Sequence, residues 1–116
     1  MASVSDPVRE VTPDEAQQLV DSGAMLLDVR EADEWDAGHA PGAVWIPLGD
    51  LEARLGELPS GGPIVAICRS GNRSRVVCEA LAGVGYEVAN VEGGMRAWVV
   101  EDLPIVASDG LPGTVV

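Results

Sequence analysis

This chain has no lysine, no phenylalanine, one histidine and two cysteines in 116 residues. Each shortage removes a class of protein. His39 is the only imidazole, and no Cys/His cluster has metal-ligand spacing, so neither a metal nor another cofactor is expected. Cys68 and Cys78 stand ten positions apart in a sequence whose first ten residues have neither a basic start nor an apolar core. A secretory leader and a structural disulfide are therefore not expected, and a soluble cytoplasmic protein is. No stretch approaches the ~18 apolar residues of a membrane span. Seven arginines against nineteen acidic residues leave a formal net charge of −12, which argues against nucleic acid or an anionic membrane as a partner.

What is present fits one ordinary globular domain. The 47% apolar and 22% charged residues are the balance of a folded soluble chain. A chain of this length buries about two thirds of its unfolded surface around one core. Strand and helix signals alternate along it. Val8 to Val11 reads as a short edge strand, and Met25 to Val29, Ala43 to Ile46, Ile64 to Ile67 and Glu87 to Val91 read as further strands. Thr12-Pro13-Asp14-Glu15 is a capping box with proline at the first helical position, opening a helix to about Asp21 that Ser22-Gly23 stops. Glu31 to Ala37, Arg73 to Ala82 and Met95 to Glu101 read as helices, and Leu48, Leu51 and Leu55 have the three-and-four spacing of another. The alternation predicts an α/β domain with a mostly parallel sheet covered on both faces. From Ser108 onward, Gly110, Pro112 and Gly113 predict a loose tail.

The apolar run Ile64-Val65-Ala66-Ile67 ends in Cys68 and passes directly into Arg69-Ser70-Gly71-Asn72-Arg73-Ser74-Arg75. A strand end, a tight glycine turn and a helix start place the thiol beneath a helix N-terminus. There the unpaired N–H groups and the helix dipole favour a thiolate and an anion bound beside it. Ligands of parallel α/β sheets bind beyond the strand carboxyl ends, which is the same place. Three of the seven arginines fall within seven residues of one another here, so positive charge is concentrated locally in a repulsive global field. Their forked guanidinium groups suit an oxyanion. The bland reading is an inert buried cysteine followed by a solvated helix face, which leaves the arginine cluster without a cause.

The residues resemble the rhodanese-like domain family, and specifically its small single-domain sulfurtransferases. Leu26-Leu27-Asp28-Val29-Arg30-Glu31, Glu34-Trp35, Gly38-His39-Ala40-Pro41-Gly42-Ala43, Ile46-Pro47, the Cys68 loop, Gly93-Gly94 with Ala97-Trp98, and Leu103-Pro104 match the family's motifs in order and spacing. The resemblance covers residues 8 to 106, leaving 1 to 7 as an N-terminal tail and 107 to 116 as a flexible C-terminal one. It implies a five-stranded parallel sheet. It also implies a catalytic Cys68 that takes a sulfane sulfur from a donor such as thiosulfate and passes it, through a persulfide, to cyanide or a thiol.

That chemistry assigns tasks to the loop. Backbone N–H groups from Arg69 to Ser74 and the guanidinium of Arg69 or Arg73 would stabilise departing sulfite. Gly71 would allow close approach, Ser70 and Ser74 would offer hydroxyls, and Asn72 would line the anion or fix its own loop. By resemblance, Asp28 and Arg30 support the active-site loop. Arg75 reads as solvated helix surface, His39 as a hydrogen-bonded turn residue, Cys78 as a small core residue or a second sulfur station, and Trp35, Trp45 and Trp98 as core fillers. Phosphatases of the same fold have a loop one residue longer, which would put arginine where Ser74 stands; here Arg73 comes one position earlier. The remaining alternative is a sulfur-relay or binding module fed by a partner protein.

Overall fold

The computed structural model describes residues 8–116, so the expected N-terminal tail, 1–7, lies outside the described residues. Five strands, β1 (Arg9–Val11), β2 (Met25–Asp28), β3 (Val44–Trp45), β4 (Ile64–Ile67) and β5 (Val88–Val91), form a single sheet in the order β1-β5-β4-β2-β3. Every pairing is parallel. Helices α1 (Pro13–Asp21), α2 (Ala32–Ala37), α3 (Asn72–Gly83) and α4 (Gly94–Val100) join the strands. At α1 the capping box forms as the sequence predicts, with Thr12 and Glu15 exchanging side-chain-to-backbone hydrogen bonds of 2.8 and 3.2 Å.

β4 occupies the centre of the sheet and is buried along its whole length. Because side chains alternate across a strand, Ile64, Ala66 and Cys68 join the core on one face, with Val77, Cys78 and Leu81 of α3. Val65 and Ile67 join the core on the other face, with Ala16 of α1 and Met95 and Trp98 of α4. Two apolar layers therefore clamp the strand that leads into Cys68. Trp98 is fully buried and donates its Nε1–H to the Pro104 carbonyl at 2.8 Å, filling the core while its polar atom is satisfied. Among the described residues no helix is long and apolar enough to cross a membrane.

Two expectations differ from the structure. The leucine-spaced segment forms two short 3₁₀ helices, Leu48–Asp50 and Glu52–Glu57, broken where Arg54 leaves helical geometry at φ −114°. Gly49 and Gly56 within it weaken an α-helix, and Leu51 and Leu58 still reach the core from the shorter turns. The segment 107–116 folds back along α2. Val106 bridges His39 and Pro112, Ser108 bonds Asp36 through its N–H and hydroxyl at 3.0 and 2.8 Å, and Thr114 N–H reaches the Ala37 carbonyl at 2.9 Å. Gly38 and Gly113 permit this approach, because a Cβ on Gly113 would lie 2.9 Å from the Gly38 Cα. Gly113, which reads as a chain breaker, is a contact point.

Asp28 and Arg30, at the end of β2, form a fully buried ion pair with N–O distances from 2.8 to 3.1 Å. Arg30 Nη2 also donates to the Gly38 carbonyl at 2.7 Å. Their side chains thus brace the turn after α2, and none of these bonds runs to residues 69–74. Removing one partner from such a pair strands a buried charge. Asp28→Ala is therefore expected to lower the free energy of urea unfolding by about 3–5 kcal/mol, whereas Arg30→Met, which replaces the charge with apolar volume, loses less. Equal losses in the two variants would contradict this account.

Candidate active site

Cys68 follows β4 and is 1% exposed. The chain then turns through Gly71, whose φ of +102° is a backbone region that favours glycine, and enters α3. This turn aims the first N–H groups of α3 inward at the sulfur. Gly71 N–H lies 3.1 Å from Sγ and the Ser74 hydroxyl oxygen 3.3 Å. The backbone N–H groups of Ser74 and Ser70 add to them. Burial by itself would push the Cys68 thiol up. The Ser74 hydroxyl and the three backbone donors outweigh it and hold the thiol below its ordinary value. Groups that a helix N-terminus normally leaves unpaired are here directed at one sulfur.

The loop is fixed from behind by main chain. Met95 N–H and Arg96 N–H, in the first turn of α4, donate to the Cys68 and Arg69 carbonyls at 2.8 and 3.1 Å. A Cβ on Gly94 would overlap the Cys68 carbonyl, so only glycine admits this contact. Asn90 of β5, 1% exposed, accepts from Ser74 at 2.5 Å and donates through Nδ2 to the Gly71 carbonyl at 3.0 Å and to Glu10 at 3.1 Å. Sequence reasoning passed over Asn90. Its only signal was an amide interrupting the apolar run Val88-Ala89-Asn90-Val91.

Other sequence candidates separate by position. Arg73 forms a two-pronged ion pair with Glu34 of α2 at 2.7 and 2.8 Å; this contact raises the guanidinium above its ordinary value and draws the Glu34 carboxyl down. Arg69 Nε donates to the Val116 backbone oxygen at 2.8 Å. Both cradle arginines thus have protein acceptors, each through part of its fork. Ser70 sits in the turn, while Asn72 is exposed at the start of α3 with its side chain bonding no loop backbone. Arg75 pairs with Glu10 and Glu79 on the surface, and so serves the outer side of the loop. His39 stacks on Trp35 at 3.6 Å and bonds the Trp35 carbonyl through Nδ1 at 2.7 Å, a structural use of the imidazole. Trp45 stacks on Trp35 and donates to the Arg30 carbonyl at 2.8 Å.

Cys78 lies in the core, and burial pushes its thiol up to about 12. The two thiols therefore differ in their readiness to ionise. Iodoacetamide at neutral pH is expected to modify Cys68, with a rate that rises through a midpoint below the ordinary thiol value, and to leave Cys78 untouched until the protein unfolds. Peptide-resolved mass spectrometry checks this; equal labelling of both in the folded state would refute it.

Among the described residues, no group of three or more His, Cys, Asp and Glu could hold a metal ion. A family model for the Rhodanese-like domain matches residues 12–101. YrkF of Bacillus subtilis, whose name assigns a sulfur-carrier role, is 42% identical over 94 residues; the match takes in 78% of this chain but only 51% of that protein, so the chain spans about half of it. The thiosulfate sulfurtransferase GlpE of Pseudomonas savastanoi is 31% identical over 91 residues, covering 78% of this chain and 86% of that one. A rhodanese-related protein from Thermoplasma volcanium superposes with a TM-score of 0.78 at 30% identity, covering 84% of this chain and 97% of that one. With the sheet order, the cysteine loop and these likenesses in hand, the chain belongs to the rhodanese-like domain family, a family of sulfurtransferases.

Proposed function

We propose that this protein is a thiosulfate sulfurtransferase with Cys68 as its sulfur carrier. The observation that supports it most is the sulfur at the focus of three backbone N–H groups and the Ser74 hydroxyl, with the thiol held below its ordinary value. In the first half-reaction the Cys68 thiolate attacks the outer sulfur of thiosulfate. The S–S bond of the donor breaks, and sulfite leaves with the electron pair. Cys68 then carries a persulfide whose terminal sulfur bears the negative charge, and the loop N–H groups are suited to hold it. In the second half-reaction cyanide or a thiolate attacks that terminal sulfur, and the Cys68 thiolate is the leaving group. The donor departs before the acceptor arrives, so ping-pong kinetics follow.

Arg69 and Arg73 supply positive charge at the loop, Arg73 with its orientation fixed by Glu34. A second reading, delivery of sulfur by a partner protein, draws support from the likeness to YrkF and from a net charge of −12 that would favour a basic partner. A phosphatase is disfavoured because a loop with five residues between cysteine and arginine would put arginine at position 74, where this chain has Ser74, whose hydroxyl bonds Asn90.

Intact mass before and after excess thiosulfate separates these readings. A gain of one sulfur atom that cyanide discharges, and that is absent in Cys68→Ala, is the expected result. No gain from thiosulfate, with a gain from a persulfidated protein donor, would replace the small-molecule donor by a relay.

A further inference from the structure

We propose that Asn90 is a positioning residue for Cys68, acting through Ser74 and Gly71; this rests on Cys68 being the nucleophile. The amide has one workable orientation. Its Nδ2 lies 3.0 Å from the Gly71 carbonyl and 3.1 Å from both carboxylate oxygens of Glu10, all of them acceptors. Oδ1 must therefore face Ser74 and accept its proton at 2.5 Å. Glu10 is held in turn by Arg75, at 2.5 Å. A chain of hydrogen bonds thus runs from a surface ion pair, through a buried amide, to the group that touches the sulfur.

Two consequences reach Cys68. The first concerns Ser74, whose hydroxyl has one proton and two acceptors in reach, Asn90 Oδ1 and Cys68 Sγ. With the sulfur protonated, the hydroxyl donates to Asn90. With the sulfur ionised, it turns that proton to Sγ without leaving its place. Without the amide, the hydroxyl loses the acceptor that fixes its rotamer and is free to turn toward the Gly71 carbonyl three residues back, away from the sulfur. The second concerns Gly71. Its carbonyl is held by Asn90 Nδ2 and by Arg75 N–H at 3.2 Å, and this hold keeps the N–H of the same residue aimed at Sγ. Asn90 therefore favours the thiolate through two donors without touching it.

The test is the pH profile of Cys68 alkylation by iodoacetamide, resolved by peptide, with no sulfur donor present. Asn90→Ala is expected to move the midpoint upward by about one pH unit, the scale of one hydrogen bond to a charged group, and to leave the high-pH plateau rate unchanged. In the Ser74→Ala background the same substitution is expected to move it by less, because the part acting through the hydroxyl is already gone. Asn90→Ser, which keeps a small polar group facing Glu10, carries the same expectation if the alanine variant fails to fold. A midpoint that stays put or falls, or shifts that add fully in the double variant, would overturn the proposal. A persulfide that never forms while the midpoint still shifts defeats the thiosulfate reading alone. A persulfide that forms while the midpoint is unmoved defeats the role of Asn90 alone.

Discussion

Everything at this site depends on the first N–H groups of α3 closing on a single sulfur atom. A helix start leaves its amides without partners, and a strand end leaves its side chain at the rim of the sheet. Placing the two one tight turn apart lets each satisfy the other. The sheet order puts β4 in the middle, the clamped layers keep it straight, and α4 holds the turn from behind through the Cys68 and Arg69 carbonyls. Were the turn to open, the sulfur would be a buried thiol like Cys78, which lies in the same core layer, where burial outweighs a single backbone hydrogen bond at Ala66 and makes the thiol hard to ionise.

The electrostatics work at two ranges. At long range the chain is strongly acidic and repels anions. Within the loop, backbone N–H groups and two arginines concentrate positive charge. The Arg73 contact with Glu34 offsets part of that charge, but it also fixes a long side chain in one geometry. Orientation is gained where raw charge is given up.

The alternating strands, the capping box at Thr12 and Glu15, and the cysteine at the end of β4 were legible because each is written in residues adjacent in sequence. Contacts between distant segments were not. Glu34 and Arg73 lie 39 positions apart, and Glu10 and Asn90 lie 80 apart. No local pattern announces that either pair will meet. The leucine spacing at 48, 51 and 55 predicted an α-helix because spacing reports which residues face the core, and 3₁₀ turns interrupted by glycines satisfy the same requirement. The final segment misled for a related reason. Glycine in sequence signals freedom, whereas Gly38 and Gly113 use the missing Cβ for backbone contact.

The same missing atom at Gly94 has a wider consequence. Because α4 meets the Cys68 turn through main chain on both sides, its share of the support for the sulfur comes from peptide groups and not from α4 side chains. The outer surface of α4 can therefore change side chains without moving the turn, and the sulfur keeps its place. Residue 94 itself has no such latitude, since any side chain there would displace the turn it supports.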